Sequence, residues 1–346
     1  MLWITAALIL RCAYGEGVNT DDIDRFGDLF SVTTARLHGV SRGRLRRTDL
    51  AAPFHGVRLR RDAADPLEDL TDQPDPYQRQ RMARVTQARV YSARLHAGHF
   101  FSHQTAASIW DAPLPLEFTL EGELLEGTDL PLHVSASGFT PFPRATGIVG
   151  HRTLQSLTAI RTHDGLRVTS PAATWVSLGT LSTRDLVALG DFFCRRWRAG
   201  HGRRDVGRPP LATIDEMREL LEAGRRRGAA RLREALDLIR EDAWSPRESQ
   251  VRLVLMSAEL PEPELNIDVH DARGRFIGCV DLAYREQRVA IEYMGMVHGA
   301  TWAADVERLA ALRAAGWTVI EVTAPLLRRP EELVRRVAAA LGMAFE

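Results

Sequence analysis

Cys279–His298, CVDLAYREQRVAIEYMGMVH, sets two carboxylates inside two short apolar runs. Val280-Asp281-Leu282-Ala283 and Val289-Ala290-Ile291-Glu292-Tyr293 each read as a strand, with a tight Arg285-Glu286-Gln287 connection between them. A carboxylate in the middle of an apolar strand is costly unless it is paired or bound to a cation. Brought side by side on neighbouring strands, Asp281 and Glu292 read as a divalent-cation site of hard oxygen ligands. An arginine partner for Asp281 is the alternative. Met294 follows on the second strand, and its thioether neither holds a hard cation nor moves a proton.

Working outward, residues 243–346 form an α/β unit large enough for its own core. Ser245-Pro246 opens a helix running to about Ala258. Strands are expected near Leu265–His270, Phe276–Tyr284 and Arg288–Met294. A long helix follows over Ala303–Ala315, then a strand at Trp317–Thr323 and a closing helix at Pro330–Leu341.

This order, with Glu248 in the opening helix, Val280-Asp281-Leu282, Ile291-Glu292-Tyr293-Met294-Gly295 and His298, resembles the restriction-endonuclease-like PD-(D/E)xK fold. It is most similar to the very-short-patch-repair endonuclease branch and its bacterial relatives, also in Asp305, Arg308 and Gly316-Trp317-Thr318-Val319-Ile320 downstream. The resemblance covers residues 243–346. It implies an α/β/α domain that hydrolyses phosphodiester bonds with magnesium or manganese. Asp281, Glu292 and the Tyr293 carbonyl would be ligands, and the ion would activate a water. His298 would act as general acid or base, and Glu248 would hold an outer-sphere water. Each role has a plainer rival. Ser245-Pro246-Arg247-Glu248 is also a capping box, His298 also ends a loop, and Asp305 with Arg308 reads as a surface i,i+3 pair outside the site. Relatives carry aspartate at the Met294 position and the wider superfamily lysine. This chain has no lysine, so His298 or an arginine would have to take that role.

Residues 24–61 are the second informative stretch. Phe30–His38 reads as a short helix stopped by Gly39, and Ser41 caps a second helix over Arg42–Leu50. Ala52-Pro53-Phe54-His55-Gly56-Val57 then turns into a β-wing. Helix, turn, basic helix and wing is the layout of a winged helix-turn-helix. Arg42, Arg44, Arg46, Arg47 and Arg58 are its candidate DNA contacts, against the alternative of a solvated arginine face. Residues 36–61 carry eight arginines and one aspartate, although the net charge of the chain is zero, so no global field draws it to nucleic acid.

Between these ends lie an acidic, proline-rich linker at 62–77 and a mixed α/β unit at 78–199. A helix is expected over 78–97 and another at Gln104–Ile109. Strands are expected at Leu116–Leu120, Leu132–Ser135, Gly147–His151 and Leu166–Val168, followed by a helix capped by Ser170 with Pro171 first. A further helix spans Thr183–Arg198, and His103, His151 and His163 show no ligand spacing. Residues 200–210 read as a linker, and 211–242 as helical spacers with an Arg225–Arg227 cluster. LFSVTTARLHGVSRGRLRR with its FHGVRL wing, FFSHQTAASIW, and HRTLQSLTAI with DGLRVTSPAATWVSL resemble the AbiEi-type antitoxin layout over residues 24–195. That resemblance implies promoter binding and a toxin partner.

Composition is ordinary for a globular protein, with 45% hydrophobic and 26% charged residues. Three dispersed cysteines suit a reducing cytoplasm. Residues 1–23 read as an extension or mis-called start, because MLWITAALIL lacks a basic flank and Arg11 ends it. No apolar run approaches the length of a membrane helix. The expectation is thus a multidomain α/β protein that binds DNA and cuts it with a metal ion. The alternatives are a DNA-binding regulator or antitoxin whose nuclease fold is silent, and a C-terminal unit used for protein contact alone.

Overall fold

The structure is a computed structural model that describes residues 23–62, 75–295 and 299–343. The amino-terminal extension and His298 lie outside the described residues, as does most of the 62–77 linker. The described chain holds three sheets in a mixed α/β arrangement.

The first unit is a three-stranded antiparallel sheet, β1 (Leu29–Ser31), β2 (Leu50–Ala51) and β3 (Val57–Arg60), ordered β1-β3-β2. Helix α1 (Val32–Leu37) begins where the Ser31 hydroxyl accepts the Thr34 N–H at 2.9 Å, and Gly39 ends it at φ 89°. The second helix expected over Arg42–Leu50 is a single 3-10 turn, Arg44–Arg46. Two forces cut it short. Gly43 is a poor helix former, and Leu50 is drawn into the sheet opposite Arg60. The hairpin from β2 to β3 turns at His55-Gly56, with Gly56 at φ 84°. Phe30, Ala35, Val40, Leu45 and Leu50 form the small core.

The second unit is a five-stranded sheet of β4 (His99–Phe101), β5 (Leu132–Ser137), β6 (Ile148–Thr153), β7 (Ile160–His163) and β8 (Leu166–Thr169), ordered β6-β5-β4-β8-β7. Helices α2 (Pro76–Ser92), α3 (His103–Ile109), α4 (Pro171–Ser177) and α5 (Thr183–Cys194) pack on it around Phe101, Leu132, Val168, Trp175 and Leu186. Strand β7 has no counterpart among the expected strands. Conversely, Leu116–Leu120 forms only one bridge, Phe118 to Leu124. The buried Gln80 amide accepts the Glu117 N–H (3.0 Å) and donates to its carbonyl (2.8 Å), which the Leu125 N–H shares at 3.0 Å, so the pairing does not extend past the bridge on that side.

Helices α6 (Ile214–Glu222) and α7 (Ala229–Leu238) are not spacers. Met217, Leu221, Leu232 and Leu236 enter the same core as Trp175. Their arginines occupy the outer faces, and the apolar stripe beneath is what packs. A methyl at Gly228 would meet the Gly179 carbonyl, so the turn into α7 lies directly on the end of α4.

The third unit begins with α8 (Pro246–Ser257), then β9 (Glu264–His270), β10 (Phe276–Tyr284), β11 (Val289–Met294), α9 (Gly299–Ala314), β12 (Thr318–Thr323), α10 (Ala324–Leu327) and α11 (Pro330–Ala340). The sheet order is β12-β11-β10-β9. The β9-β10-β11 meander is antiparallel, and β12 runs parallel to β11. Leu282, Val289 and Ile291 pack on one face with Val251, Leu255, Leu333 and Val337 from α8 and α11. Val280 and Ala290 pack with Leu309 and Leu312 of α9 on the other.

The second and third units are joined by buried charge. Arg252 of α8, fully buried, reaches Asp191 of α5 at 3.2 Å and Glu262 at 3.0 Å, and donates to the Leu238 carbonyl at 2.8 Å. Asp191 also accepts from the Ser249 hydroxyl at 2.6 Å and the Arg240 N–H at 2.7 Å. Nor is the 200–210 linker loose, since Arg203 pairs with Asp268 at 2.5 Å and lies 4.7 Å over the Trp244 ring. No helix among the described residues is long and apolar enough to cross a membrane.

Candidate functional site

Asp281 and Glu292 stand at the point where β10 and β11 part. Their ladder runs from Tyr284 opposite Val289 to Leu282 opposite Ile291. One step further the Asp281 carboxylate, instead of a backbone carbonyl, accepts the Tyr293 N–H at 2.9 Å. A side chain thus replaces a rung of the sheet and holds the strands open beside Glu292.

Glu292 is 3% exposed, and the pair it makes is with Arg308 of α9, at 2.6 and 3.4 Å. Arg308 also reaches Asp305 at 3.4 Å and the Cys279 carbonyl at 3.3 Å. The expectation that Asp305 and Arg308 form a surface pair outside the site is therefore wrong for Arg308. Its path is opened by Gly278, where a Cβ would lie 2.7 Å from Arg308 Cδ. Glycine inside a strand often marks such a close approach, and it is the one signal of this contact that the sequence carries.

Glu248 arrives from α8 and is 5% exposed. Half of the expected capping box forms, with the Glu248 N–H donating to Ser245 Oγ at 3.2 Å. The carboxylate reaches one residue further back, accepting the Trp244 N–H at 2.8 Å and the Asn266 amide at 2.6 Å. Asn266 sits at φ 50°, a conformation asparagine tolerates better than most residues.

Burial raises all three acids, and the Asp281 charge adds to it at the two glutamates. Glu248 is pushed up to about 7 by burial and then by the Asp281 charge, against its backbone and Asn266 hydrogen bonds. Glu292 is also pushed up to about 7 by burial and Asp281, against Arg308. Asp281 is raised by burial, while the Tyr293 N–H and Arg308 pull it down. The charge of Asp281 thus acts on Glu248 of α8 and on Glu292 of β11, which makes the three acids a candidate site. Their oxygens are hard donors suited to magnesium or manganese, although the guanidinium of Arg308 now lies on Glu292. Met294, two residues on from Glu292 and so on the same face of β11, is half-buried and packs on the apolar cluster that includes Leu309 and Leu312. The Tyr293 ring lies 5.8 Å from the Arg247 guanidinium.

The candidate DNA-contacting arginines divide. Arg42, Arg46 and Arg47 are exposed. Arg44 is clamped on Asp49 at 3.0 and 2.8 Å, and Arg58 donates to the Leu45 and Val57 carbonyls at 2.6 and 2.7 Å. Those two hold the turn and the hairpin together.

A second cluster is invisible in the sequence. The expectation that His103 and His151 are scattered is overturned, since they meet His133 with ring nitrogens mutually within 4.8 Å. His133 Nδ1 lies 2.9 Å from His151 Nε2, and the His103 ring stacks on His151 at 3.7 Å. The three come from α3, β5 and β6, so only the parallel pairing of β5 with β6, which sets Leu132 opposite Ile148, aligns two of them. Burial depresses His103 to about 2 and His133 to about 3, and the neighbouring imidazoles add to it. His163 is apart, against Trp110.

Comparison with known proteins leaves the class of this chain at mixed α/β. It is similar to two uncharacterised proteins of Mycobacterium tuberculosis, from two strains, each 32% identical over 165 residues. The match covers 43% of this chain and 60% of each relative, so the chain spans about 60% of the length of the curated relatives it matches. No protein-family profile matches it, and no solved structure does.

Proposed function

We propose that the protein is a DNA-binding phosphodiester hydrolase whose third unit carries a divalent-cation centre. The observation that carries this reading is the Asp281 carboxylate standing in for a rung between β10 and β11 beside buried Glu292, with Glu248 buried on α8. Asp281 and Glu292, with the Tyr293 carbonyl, would hold magnesium or manganese. When bound, such an ion supplies Lewis-acid polarisation of the scissile phosphate and a more acidic water. The chain's own residues do the rest. Asp281 keeps the strands apart through the Tyr293 N–H. Glu248, near pKa 7, takes or gives a proton at neutral pH. Arg308 supplies the positive charge that a lysine would bring. Its guanidinium, partly exposed beside Glu292, would face the phosphate oxygens. Water oxygen then bonds to phosphorus as the bond to the leaving sugar oxygen breaks.

Exposed Arg42, Arg46 and Arg47 would hold the backbone of the duplex. The experiment is cleavage of plasmid DNA by the full chain with magnesium or manganese. Cleavage lost in both Asp281→Ala and Glu292→Ala supports the reading; cleavage that persists in either variant, or none from the parent protein, overturns it. The Arg308 fork on Glu292, together with Met294, favours a second reading, in which the nuclease fold is silent and the protein is a DNA-binding regulator or antitoxin with a toxin partner. DNA binding without any cleavage would select that one.

A further inference from the structure

The histidine cluster of the second unit takes no part in the proposed reaction. It borders a cavity of about 360 Å³ whose lining includes His103, His151, Ser102 and Ser135. The same cavity is lined by Arg152, Arg225, Arg226 and Arg227, with no aspartate or glutamate among its described lining residues. Arg152 and Arg226 are fixed by backbone carbonyls: Arg152 donates to Gly138 at 2.5 Å and Thr140 at 3.0 Å, and Arg226 to Leu157 at 2.8 Å. Arg225 and Arg227 are exposed at the rim.

We propose that His103, His133 and His151 form a three-imidazole site for a zinc-type transition cation, whose fourth position opens on the arginine-lined cavity and accepts an oxyanion. Three imidazoles with one open position are a recognised donor set for zinc. The ring nitrogens already lie within 4.8 Å of one another, close to the span of ligands on one ion. The outer contacts are in place too. The His103 Nδ1 lies 2.9 Å from Ser102 Oγ, and Ser102 accepts from Ser135 at 2.7 Å, both serines being buried. That contact fixes the His103 ring and leaves Nε2 to ligate, as outer hydrogen bonds do in metal sites. His133 Nδ1 and His151 Nε2 share one hydrogen across 2.9 Å. Ligation moves that hydrogen to the other nitrogen of the same ring, so no proton leaves the protein. The stacked His103 and His151 rings must also fan apart, since lone pairs in two parallel planes do not converge on one point.

A half-buried cation beside four arginines gains from an anion, and the described lining of the cavity holds no carboxylate to supply one. The open position therefore fits phosphate or a phosphoryl group better than a neutral ligand. Arg225–Arg227 then find a role beyond a solvated face. This site is independent of the acid centre in the third unit.

The test is equilibrium binding of zinc, and of cobalt as its coloured stand-in, to the full-length protein. One tightly held equivalent is expected, with the visible bands of four-coordinate cobalt, and these should persist in the Asp281→Ala/Glu292→Ala variant. His133→Gln/His151→Gln should lose them, and Ser102→Ala should weaken binding about 10- to 100-fold. Inorganic phosphate should shift the cobalt spectrum of the parent protein and do so less in Arg225→Ala/Arg227→Ala. If the histidine variant misfolds, the parent alone decides through its melting point, which must rise with the logarithm of free zinc once zinc exceeds its dissociation constant. Absence of that rise, octahedral cobalt, or binding lost with the acids and retained without the histidines would overturn the proposal.

Discussion

Replacing Arg252 with methionine should cost about 3–5 kcal/mol, because it strands a buried carboxylate. Asp191 is 1% exposed and Arg252 fully buried, so neither charge can turn to water. Methionine fills much of the same space and removes the guanidinium. Asp191 would keep the Ser249 hydroxyl and the Arg240 N–H but lose its counter-charge. Its carboxyl is already raised by burial against Arg252, so part of the loss would be relieved by protonation. The Leu238 carbonyl and Glu262 also lose a donor. In Asp191→Asn/Arg252→Met both charges are gone, and the asparagine oxygen still accepts the Arg240 N–H while its amide N–H can donate to the Ser249 hydroxyl. That double variant should recover at least about 2 kcal/mol relative to the sum of the singles, since replacing both members of a buried pair is often near neutral. The assay is urea unfolding followed by far-UV dichroism and by tryptophan fluorescence, the chain having seven tryptophans. Since α5 and α8 belong to different units, the two probes should also separate in Arg252→Met and coincide in the parent. A loss under about 1 kcal/mol in Arg252→Met, with additive singles, would refute this account of the junction.

Gly278→Ala should cost about 1–3 kcal/mol through the clash with the Arg308 stem, and lift the Glu292 carboxyl further by displacing its partner; infrared titration of the carboxyl checks the second effect. In DNA-binding isotherms, Arg42→Ala/Arg46→Ala/Arg47→Ala should flatten the salt slope by up to about 0.9 for each phosphate no longer neutralised, whereas Arg44→Ala should lower the melting point of the first unit. The depressed His103 and His133 stay neutral in the fold while the unfolded chain protonates below about pH 6.5. Stability is therefore full above that pH and falls as pH drops toward about 3, by up to about 1.4 kcal/mol per pH unit for each histidine. His103→Gln/His133→Gln should flatten that acid limb in pH-dependent urea melts. The raised Glu248 and Glu292 work the other way: their contribution is full below about pH 4.5 and is lost as pH rises through about 7, so Glu248→Gln should flatten the neutral limb.

The third unit is the most legible from sequence. Apolar runs bounded by turn residues place Phe276–Tyr284 without error and Val289–Met294 to within one residue. The acids on them announce a cost that has to be met somewhere. What meets it at Glu292 is not readable, because Arg308 is remote in sequence and reaches the strand only through the gap at Gly278. The histidine cluster is hidden for a similar reason. His103, His133 and His151 have no common spacing; strand pairing aligns His133 with His151, and the packing of α3 brings His103 to them. The missing second helix of the first unit shows local preference yielding to the sheet, where Leu50 gains more from pairing with Arg60 than from another helical turn. Helices 211–242 mislead because arginine dominates their composition, while four apolar side chains decide their place.

The parallel pairing of β11 with β12 has a consequence for the order in which the molecule is assembled. A growing chain presents the β10–β11 hairpin, acids included, before either α9 or β12 has been made. Until then Glu292 has no Arg308, and β11 is an open edge whose Ile291 has no Ile320 beside it. The centre is completed by segments made after the hairpin, so a ribosome-bound fragment ending before Gly299 lacks both Arg308 for Glu292 and a β12 neighbour for β11. Shortening the protein from its carboxyl end would unmake the site before it touched any residue proposed to act in it.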